Sequence, residues 1–149
     1  MSGERPDRGE DRLTTSSAPG TGPAARPATG PRVLCETRAL AAAPPVPAGV
    51  LWKLAEEGRQ LDANVVRLAP GARIAAHTED RLDVLVLVVA GDGVLGDGTQ
   101  DTARPLTEGS LAWLPHGAAR AITAGEAGLT YLTVHDRRPG MRIGTRPDA

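Results

Sequence analysis

The sequence of 149 residues is poor in the residues that usually stabilise small cores, with one cysteine, no phenylalanine and only three aromatic residues, Trp52, Trp113 and Tyr131. A single cysteine excludes an internal disulfide and a cysteine-rich zinc cluster, and it favours a cytoplasmic protein. Because aromatic side chains are scarce, any core must be built from Val, Leu, Ile and Ala.

Long apolar runs and an excess of one charge are also absent. The longest apolar run, residues 84–90, is far shorter than the roughly 20 residues of a membrane-spanning helix, and the N-terminus lacks the apolar segment of a signal peptide. The 17 Lys and Arg residues nearly balance the 18 Asp and Glu residues, for a formal net charge of -1. We therefore expect neither nucleic acid nor a membrane as a partner.

Composition divides the chain into three parts. Residues 1–48 hold eight of the 13 prolines, and such a segment cannot bury enough apolar surface to offset the entropy of ordering it. We predict that residues 1–48 form a disordered or loosely docked arm, with the disorder extending to about residue 32. Residues 49–136 are predicted to form one folded domain, and residues 137–149 to form a basic tail.

Short β-like runs separated by turn residues fill the folded part. Dipeptides such as Asp97-Gly98 and Glu108-Gly109 favour tight turns, and no segment has the length and periodicity of a helix. Residues 84–90 are apolar at every position, which indicates a central strand buried from two sides. The pattern predicts an all-β, antiparallel barrel. The predicted strands include residues 61–68, 73–77, 83–90, 94–95, 110–114, 119–123 and 129–135.

Residues 91–96 contain the glycines of a dinucleotide-binding fingerprint, G-x-G-x-x-G. That fingerprint requires a helix to begin at the glycines, so that the helix N-terminus can hold pyrophosphate. Gly98 and Pro105 are incompatible with such a helix. We therefore interpret these glycines as turn residues of a hairpin.

Two spaced motifs carry a more specific signal. The first consists of Gly71, His77, Glu79, Asp83 and Gly91. It resembles the first cupin motif, G-x5-H-x-H-x3,4-E-x6-G, except that Glu79 replaces the second His, Asp83 replaces the Glu, and the last gap is one residue longer.

The second motif consists of Gly109, Pro115, Gly117, Arg120 and Ala124. All its spacings match the second cupin motif, G-x5-P-x-G-x2-H-x3-N, but Arg120 stands in place of the His and Ala124 in place of the Asn. Together the two motifs cover residues 71–124. The chain thus resembles a small single-domain cupin, and the resemblance implies an antiparallel jelly-roll barrel with a pocket inside.

The resemblance further implies that His77, Glu79, Asp83 and Arg120 converge in the barrel, where we predict that they bind a ligand. Strand alternation places His77 and Glu79 on one face, and His135 is a further candidate for the pocket mouth. In the family these four positions usually hold a divalent metal. A guanidinium has no lone pair to donate and repels a cation, so we predict an ion pair of Arg120 with Asp83 or Glu79 and no metal cofactor. A site for Fe, Mn or Zn, with the His and two carboxylates as ligands, is the alternative.

Several functions remain open at this point. We predict a protein that binds a small molecule, with Arg120 holding a carboxylate or phosphate of that ligand. One alternative is a metal-independent isomerase, cyclase or lyase that acts on a small organic acid, with His77 or Glu79 as general base. The others are a metal-dependent oxygenase and a purely structural protein. Residues 84–90, which are apolar on both faces of their strand, and the family habit of pairing through sheets predict a homodimer. We expect Trp113 to be a core or dimer contact.

Overall fold

The structure, a computed structural model, describes residues 30–43 and 48–138. Within these ranges it contains one short helix, α1, a 3₁₀ turn (Gln100–Thr102) and seven strands. Their bounds are α1 (Thr37–Ala42), β1 (Gly49–Lys53), β2 (Leu61–Leu68), β3 (Arg73–Thr78), β4 (Val84–Gly96), β5 (Arg104–Leu106), β6 (Leu111–Leu114) and β7 (Ala119–Asp136). The predicted disorder of the first residues lies outside the described part. No helix of the described part has the length and apolar character needed to span a membrane.

Strands β4 and β7 organise the barrel, because the two halves of each pair with different neighbours. The first half of β4 pairs with β6 and the second half with β5. The first half of β7 pairs with β3 and the second half with β2, which is flanked by β1. The two long strands also pair with each other, and every one of these pairings is antiparallel. The predicted all-β antiparallel jelly-roll barrel is confirmed.

Glycines allow β4 to pass from one wall of the barrel to the other. The register against β7 shifts between Gly91 and Gly93. Gly91 has a φ of 79°, and a Cβ at this position would lie 2.0 Å from the carbonyl oxygen of Gly128. A Cβ at Gly93 would lie 2.4 Å from the carbonyl oxygen of Thr123. Only glycine tolerates both the backbone conformation and the close approach of the neighbouring strand.

The predicted hairpin at these glycines is wrong, although the exclusion of a nucleotide-binding helix is correct. The two strands predicted at residues 83–90 and 94–95 are one continuous strand, β4, which begins at Val84. Residues 119–123 and 129–135 likewise belong to β7. Glycine is common both in bulges and in tight turns. Here the pairing of β4 with β7 shows that these glycines form a bulge.

The core lies on the inner face of β4 and β7 and is almost entirely aliphatic. Val86 and Val88 are 1% and 2% exposed, and Leu129 is fully buried. Tyr131 is the one aromatic member of this cluster. The outer residues of β4 differ, since Leu85 is 46% exposed. Within one chain, the first part of the apolar run is therefore half-exposed on its outer face, whereas the consecutive residues Val88 and Val89 are both buried.

Candidate functional site

An open cavity of about 310 Å³ lies inside the barrel. One side of its lining is apolar, formed by Ile74, Val84, Val86, Leu114, Ala121 and Ile122. The polar residues of the lining are His77, Glu79, Arg120, Tyr131, Thr133, His135 and Arg138. The cavity therefore combines a hydrophobic wall with titratable and hydrogen-bonding groups, as small-molecule sites do.

Strand pairing places His77 beside Arg120. The register of β3 against β7 makes these two residues direct cross-strand partners, so their Cβ atoms lie about 5 Å apart. The register shifts between Ile74 and His77, and both residues line the cavity although an odd number of positions separates them. The bulge thus turns His77 to the same side as the core residue Ile74.

Arg120 is a buried cation with few partners. It is 6% exposed, and its Nη2 donates a hydrogen bond to the carbonyl oxygen of Pro115 at 2.9 Å. Its buried Nε has no hydrogen-bond partner among the described residues. The structure differs here from the sequence-based expectation, because no ion pair found within residues 30–43 and 48–138 joins Arg120 to Asp83 or Glu79.

Glu79 lies one residue beyond β3 and pairs with Arg138. Its Oε2 is 2.8 Å from Nη2 of Arg138, and its Oε1 accepts the backbone N–H of Arg81 at 3.0 Å. The Arg81 N–H, and then the positive charges of Arg138 and Arg120, lower the pKa of Glu79. Glu79 is therefore a carboxylate at neutral pH.

Asp83 lies outside the cavity lining. Its Oδ1 accepts the backbone N–H of His116 at 2.8 Å and lies 2.7 Å from Nδ1 of the same residue. These two hydrogen bonds lower the pKa of Asp83. The structure thus brings together three of the four residues that the motifs indicate, His77, Glu79 and Arg120. Asp83, directly before β4, is instead hydrogen-bonded to the turn after β6.

The second half of β7 supplies lining residues that the motifs do not include. Tyr131, Thr133 and His135 alternate along this strand and all line the cavity. Burial raises the pKa of the Tyr131 hydroxyl. The alternation of these residues was an available sequence signal, but only His135 had been singled out, as a candidate for the pocket mouth. Arg138 follows the strand and carried no signal beyond its positive charge.

Backbone carbonyls fix the tautomers of both cavity histidines. Nδ1 of His77 lies 2.9 Å from the carbonyl oxygen of Ala75, and Nδ1 of His135 lies 2.7 Å from that of Asp136. A carbonyl oxygen only accepts hydrogen bonds, so each neutral imidazole carries its proton on Nδ1 and a lone pair on Nε2.

The lining does not fit the divalent metal that the motif resemblance implies. Over residues 30–43 and 48–138, no three His, Cys, Asp or Glu side chains form a group that could hold a metal ion. Glu79 is bound to Arg138, and Arg120 is the cross-strand partner of His77 and lines the same cavity. A fixed cation beside the imidazole opposes a metal there.

Comparisons with known proteins show the fold. No protein-family model and no curated protein matches the sequence. The structure of KdgF from Halomonas sp. is 23% identical with a TM-score of 0.51, and the match covers 60% of this chain and 78% of that one. The cupin domain of Cnp3 from Schizosaccharomyces pombe is 16% identical with a TM-score of 0.50, over 58% of this chain and 63% of that one. The chain therefore has the cupin fold.

Proposed function

We propose that this protein binds a small organic anion in the barrel cavity without the help of a metal ion. The observation that carries the proposal is Arg120, a buried guanidinium on the cavity wall whose Nε has no hydrogen-bond partner among the described residues. An unsatisfied buried donor is costly. A carboxylate or phosphate oxygen would supply both the missing acceptor and the missing negative charge.

The charge of the lining also favours an anion. Arg120 and Arg138 carry two positive charges, Glu79 carries one negative charge, and the remaining lining residues are neutral when His77 and His135 are unprotonated. The net charge of one positive unit attracts an anion. The apolar wall suits the carbon skeleton, and a volume of about 310 Å³ suits a ligand of modest size.

Calorimetric titration with matched pairs of compounds tests this proposal. Small carboxylates and phosphate esters are compared with neutral amides or alcohols of the same skeleton, and only the anions are expected to bind. Arg120→Met should weaken that binding roughly 10- to 100-fold, because it removes charge-assisted hydrogen bonds. The control is Arg104→Met, since Arg104 is exposed and donates to the backbone of Ala103 at 2.9 Å. Equal binding of neutral analogues, or unchanged binding by Arg120→Met, would refute the proposal.

A second function, that of a metal-independent isomerase or cyclase, is favoured by the tautomer of His77. With Nδ1 held by the carbonyl oxygen of Ala75, Nε2 of neutral His77 is free to take a proton from a carbon next to a ligand carbonyl. The electron pair then moves to the carbonyl oxygen, where the neighbouring Arg120 would stabilise the negative charge, and the proton returns to another position.

Deuterium exchange distinguishes this activity from binding alone. A ligand found by titration is incubated with the protein in D₂O, and NMR follows the loss of its carbon-bound hydrogens. Exchange that disappears in His77→Gln but persists in His116→Gln supports catalysis, because His116 lies outside the cavity lining. A bound anion without exchange leaves the protein as a binding module.

A further inference from the structure

A tight turn, residues 115–118, joins β6 to β7 and holds the guanidinium of Arg120. The carbonyl oxygen of Pro115 accepts the backbone N–H of Ala118 at 3.3 Å, which closes the turn. The same oxygen accepts Nη2 of Arg120 at 2.9 Å. Among the described residues this is the one hydrogen bond of the guanidinium, since its Nε has no partner. Because an arginine side chain rotates about several bonds, the position of this carbonyl determines where the guanidinium points.

Two hydrogen bonds fix the backbone of the 115–118 turn to the segment between β3 and β4. The N–H of His116 donates to Oδ1 of Asp83 at 2.8 Å. The N–H of Gly117 donates to the carbonyl oxygen of Glu79 at 2.7 Å. The turn itself lies outside the strands β6 and β7, so these two bonds take the place of the strand pairing that fixes the backbone elsewhere in the barrel.

Only one of these two anchors depends on a side chain, and that side chain is Asp83. Its carboxylate also lies 2.7 Å from Nδ1 of His116. The bond from the backbone N–H, and then the bond from the imidazole, lower the pKa of Asp83, so the anchor is a carboxylate at neutral pH and its bonds are charge-assisted. The imidazole is not part of the turn backbone. The position of the turn therefore depends on the backbone N–H, which every residue except proline supplies.

We propose that Asp83 is a positioning residue for anion binding, which holds the 115–118 turn so that the carbonyl of Pro115 directs the guanidinium of Arg120 into the cavity. This role rests on the proposed function of Arg120 as the anion-binding group. Asp83 does not line the cavity. Its carboxylate acts from outside, through one turn, although it occupies a motif position that usually supplies a metal ligand in the cupin family.

The sign of the effect separates positioning from simple electrostatics. Removal of a negative charge near a cationic site strengthens the binding of an anion. Loss of the anchor has the opposite effect, because Arg120 then loses its fixed direction toward the anion. Asp80 provides the matched control, since it belongs to the same segment, carries the same charge and is exposed. Its side chain has no hydrogen bond or ion pair with another residue of the described part.

Calorimetric titration of the full chain with benzoate and with inorganic phosphate measures the effect on binding. Asp83→Ala should weaken the binding about 5- to 20-fold, because the turn loses a charge-assisted hydrogen bond. Asp83→Asn keeps an oxygen acceptor for the N–H of His116 and should stay within about 3-fold of the wild type. Asp80→Ala should leave the binding unchanged or strengthen it. If the alanine variant at position 83 fails to fold, as judged by its melting temperature, Asp83→Ser takes its place.

NMR of the Arg120 guanidinium tests the positioning without any ligand. The bond from Nη2 to Pro115 slows rotation about the Nε–Cζ bond, so the two Nη groups should give separate nitrogen signals at low temperature. Arg120→Met identifies these signals by their absence. We expect the signals to merge in Asp83→Ala and to remain separate in Asp83→Asn and Asp80→Ala. A loss of stability alone would not produce this difference.

Two results would overturn the proposal. One is that Asp83→Ala keeps separate Nη signals and binds the anions as well as the wild type or better. The other is that Asp83→Asn weakens binding as much as Asp83→Ala, since the hydrogen-bond acceptor would then be irrelevant. Failure of the proposed function is a different outcome. The wild type would then bind neither anion, while merged Nη signals in Asp83→Ala would still show that Asp83 positions Arg120.

Discussion

Replacement of Arg120 by methionine tests whether this buried cation stabilises the fold. Methionine keeps an unbranched stem but has neither charge nor donor. The guanidinium donates one hydrogen bond to the carbonyl of Pro115 and has an unsatisfied Nε among the described residues. The variant therefore removes one satisfied and one unsatisfied donor together.

The opposing contributions to the free energy of unfolding nearly cancel. Loss of a hydrogen bond from a charged donor lowers the stability by about 1.5–3 kcal/mol. The loss is smaller here, because Pro115 is only partly buried and its carbonyl can bind water instead. Removal of the unsatisfied donor returns about 1–3 kcal/mol. Removal of a desolvated charge stabilises the fold further, but this gain is reduced because water in the open cavity partly solvates the charge. We expect the stability of Arg120→Met to lie within about 1 kcal/mol of the wild type or above it.

Arg120→Ala is the matched comparison, because it removes the stem as well as the charge. Each buried methylene contributes about 0.8 kcal/mol, so the alanine variant should be less stable than the methionine variant by roughly 2 kcal/mol. Urea unfolding followed by far-UV circular dichroism measures both differences, provided that the m-values agree.

A loss above about 3 kcal/mol in Arg120→Met would refute this reasoning, because that is the cost of breaking a buried ion pair. It would mean that Arg120 is paired with a carboxylate in solution, as the motifs had indicated. Retained stability together with lost anion binding is instead the pattern of a residue kept for function at a cost to the fold.

The cavity lining, the loop after β4 and the bend of β4 each lead to a prediction. Metal analysis of the purified protein should find much less than one equivalent of Fe, Mn or Zn, since the described residues offer no group of three suitable side chains. Hydrogen bonds from Thr102 and Thr99 lower the pKa of Asp97 from 3.8 to about 2, so its ionised form adds stability that is present above pH 3.8 and lost as the pH falls through about 2. NMR titration of Thr102→Val should therefore give a higher pKa for Asp97. Gly91→Ala should destabilise the protein by more than about 3 kcal/mol in urea unfolding, because its Cβ would collide with backbone, whereas Gly71→Ala, with a similar positive φ and open space, should cost about 1 kcal/mol.

Each of these predictions has an outcome that contradicts it. Stoichiometric metal that His77→Ala removes would restore the metal-dependent alternative. An unchanged pKa of Asp97 in Thr102→Val would show that the hydroxyl is not the cause. Equal stability of the two glycine variants would show that the strands separate at the bend without cost.

The strands were predictable because their signals are local. The bounds of β2 (Leu61–Leu68) agree with the prediction, since alternation and the flanking turn residues are properties of the segment itself. The continuity of β4 was not predictable in this way. Gly91-Asp92-Gly93 satisfies a hairpin and a bulge equally well, and the pairing with β7 that decides between them joins residues far apart in the sequence.

The cavity was partly predictable for the same reason. The motif resemblance placed His77 and Arg120 in one pocket, and the register makes them cross-strand neighbours, although the bulge that turns His77 to the cavity departs from simple alternation. The partners of the carboxylates were not predictable, because they depend on where loops and chain ends meet. Arg138 lies 59 positions from Glu79, and His116 lies 33 positions from Asp83.

The three residues that depart from the metal-binding motif each have a partner within the protein. Arg120 donates to Pro115, Glu79 is held by Arg138, and Asp83 is held by the turn at His116. Each position that would hold a metal ligand in the motif, apart from His77, thus has a partner of its own. A metal site needs several ligand atoms directed at one point. Replacement of Arg120 by histidine would add only one such ligand to that of His77. We therefore propose that the arrangement around Arg120 is a different kind of site, in which a fixed cation takes the place of the metal charge and selects an anion as the ligand.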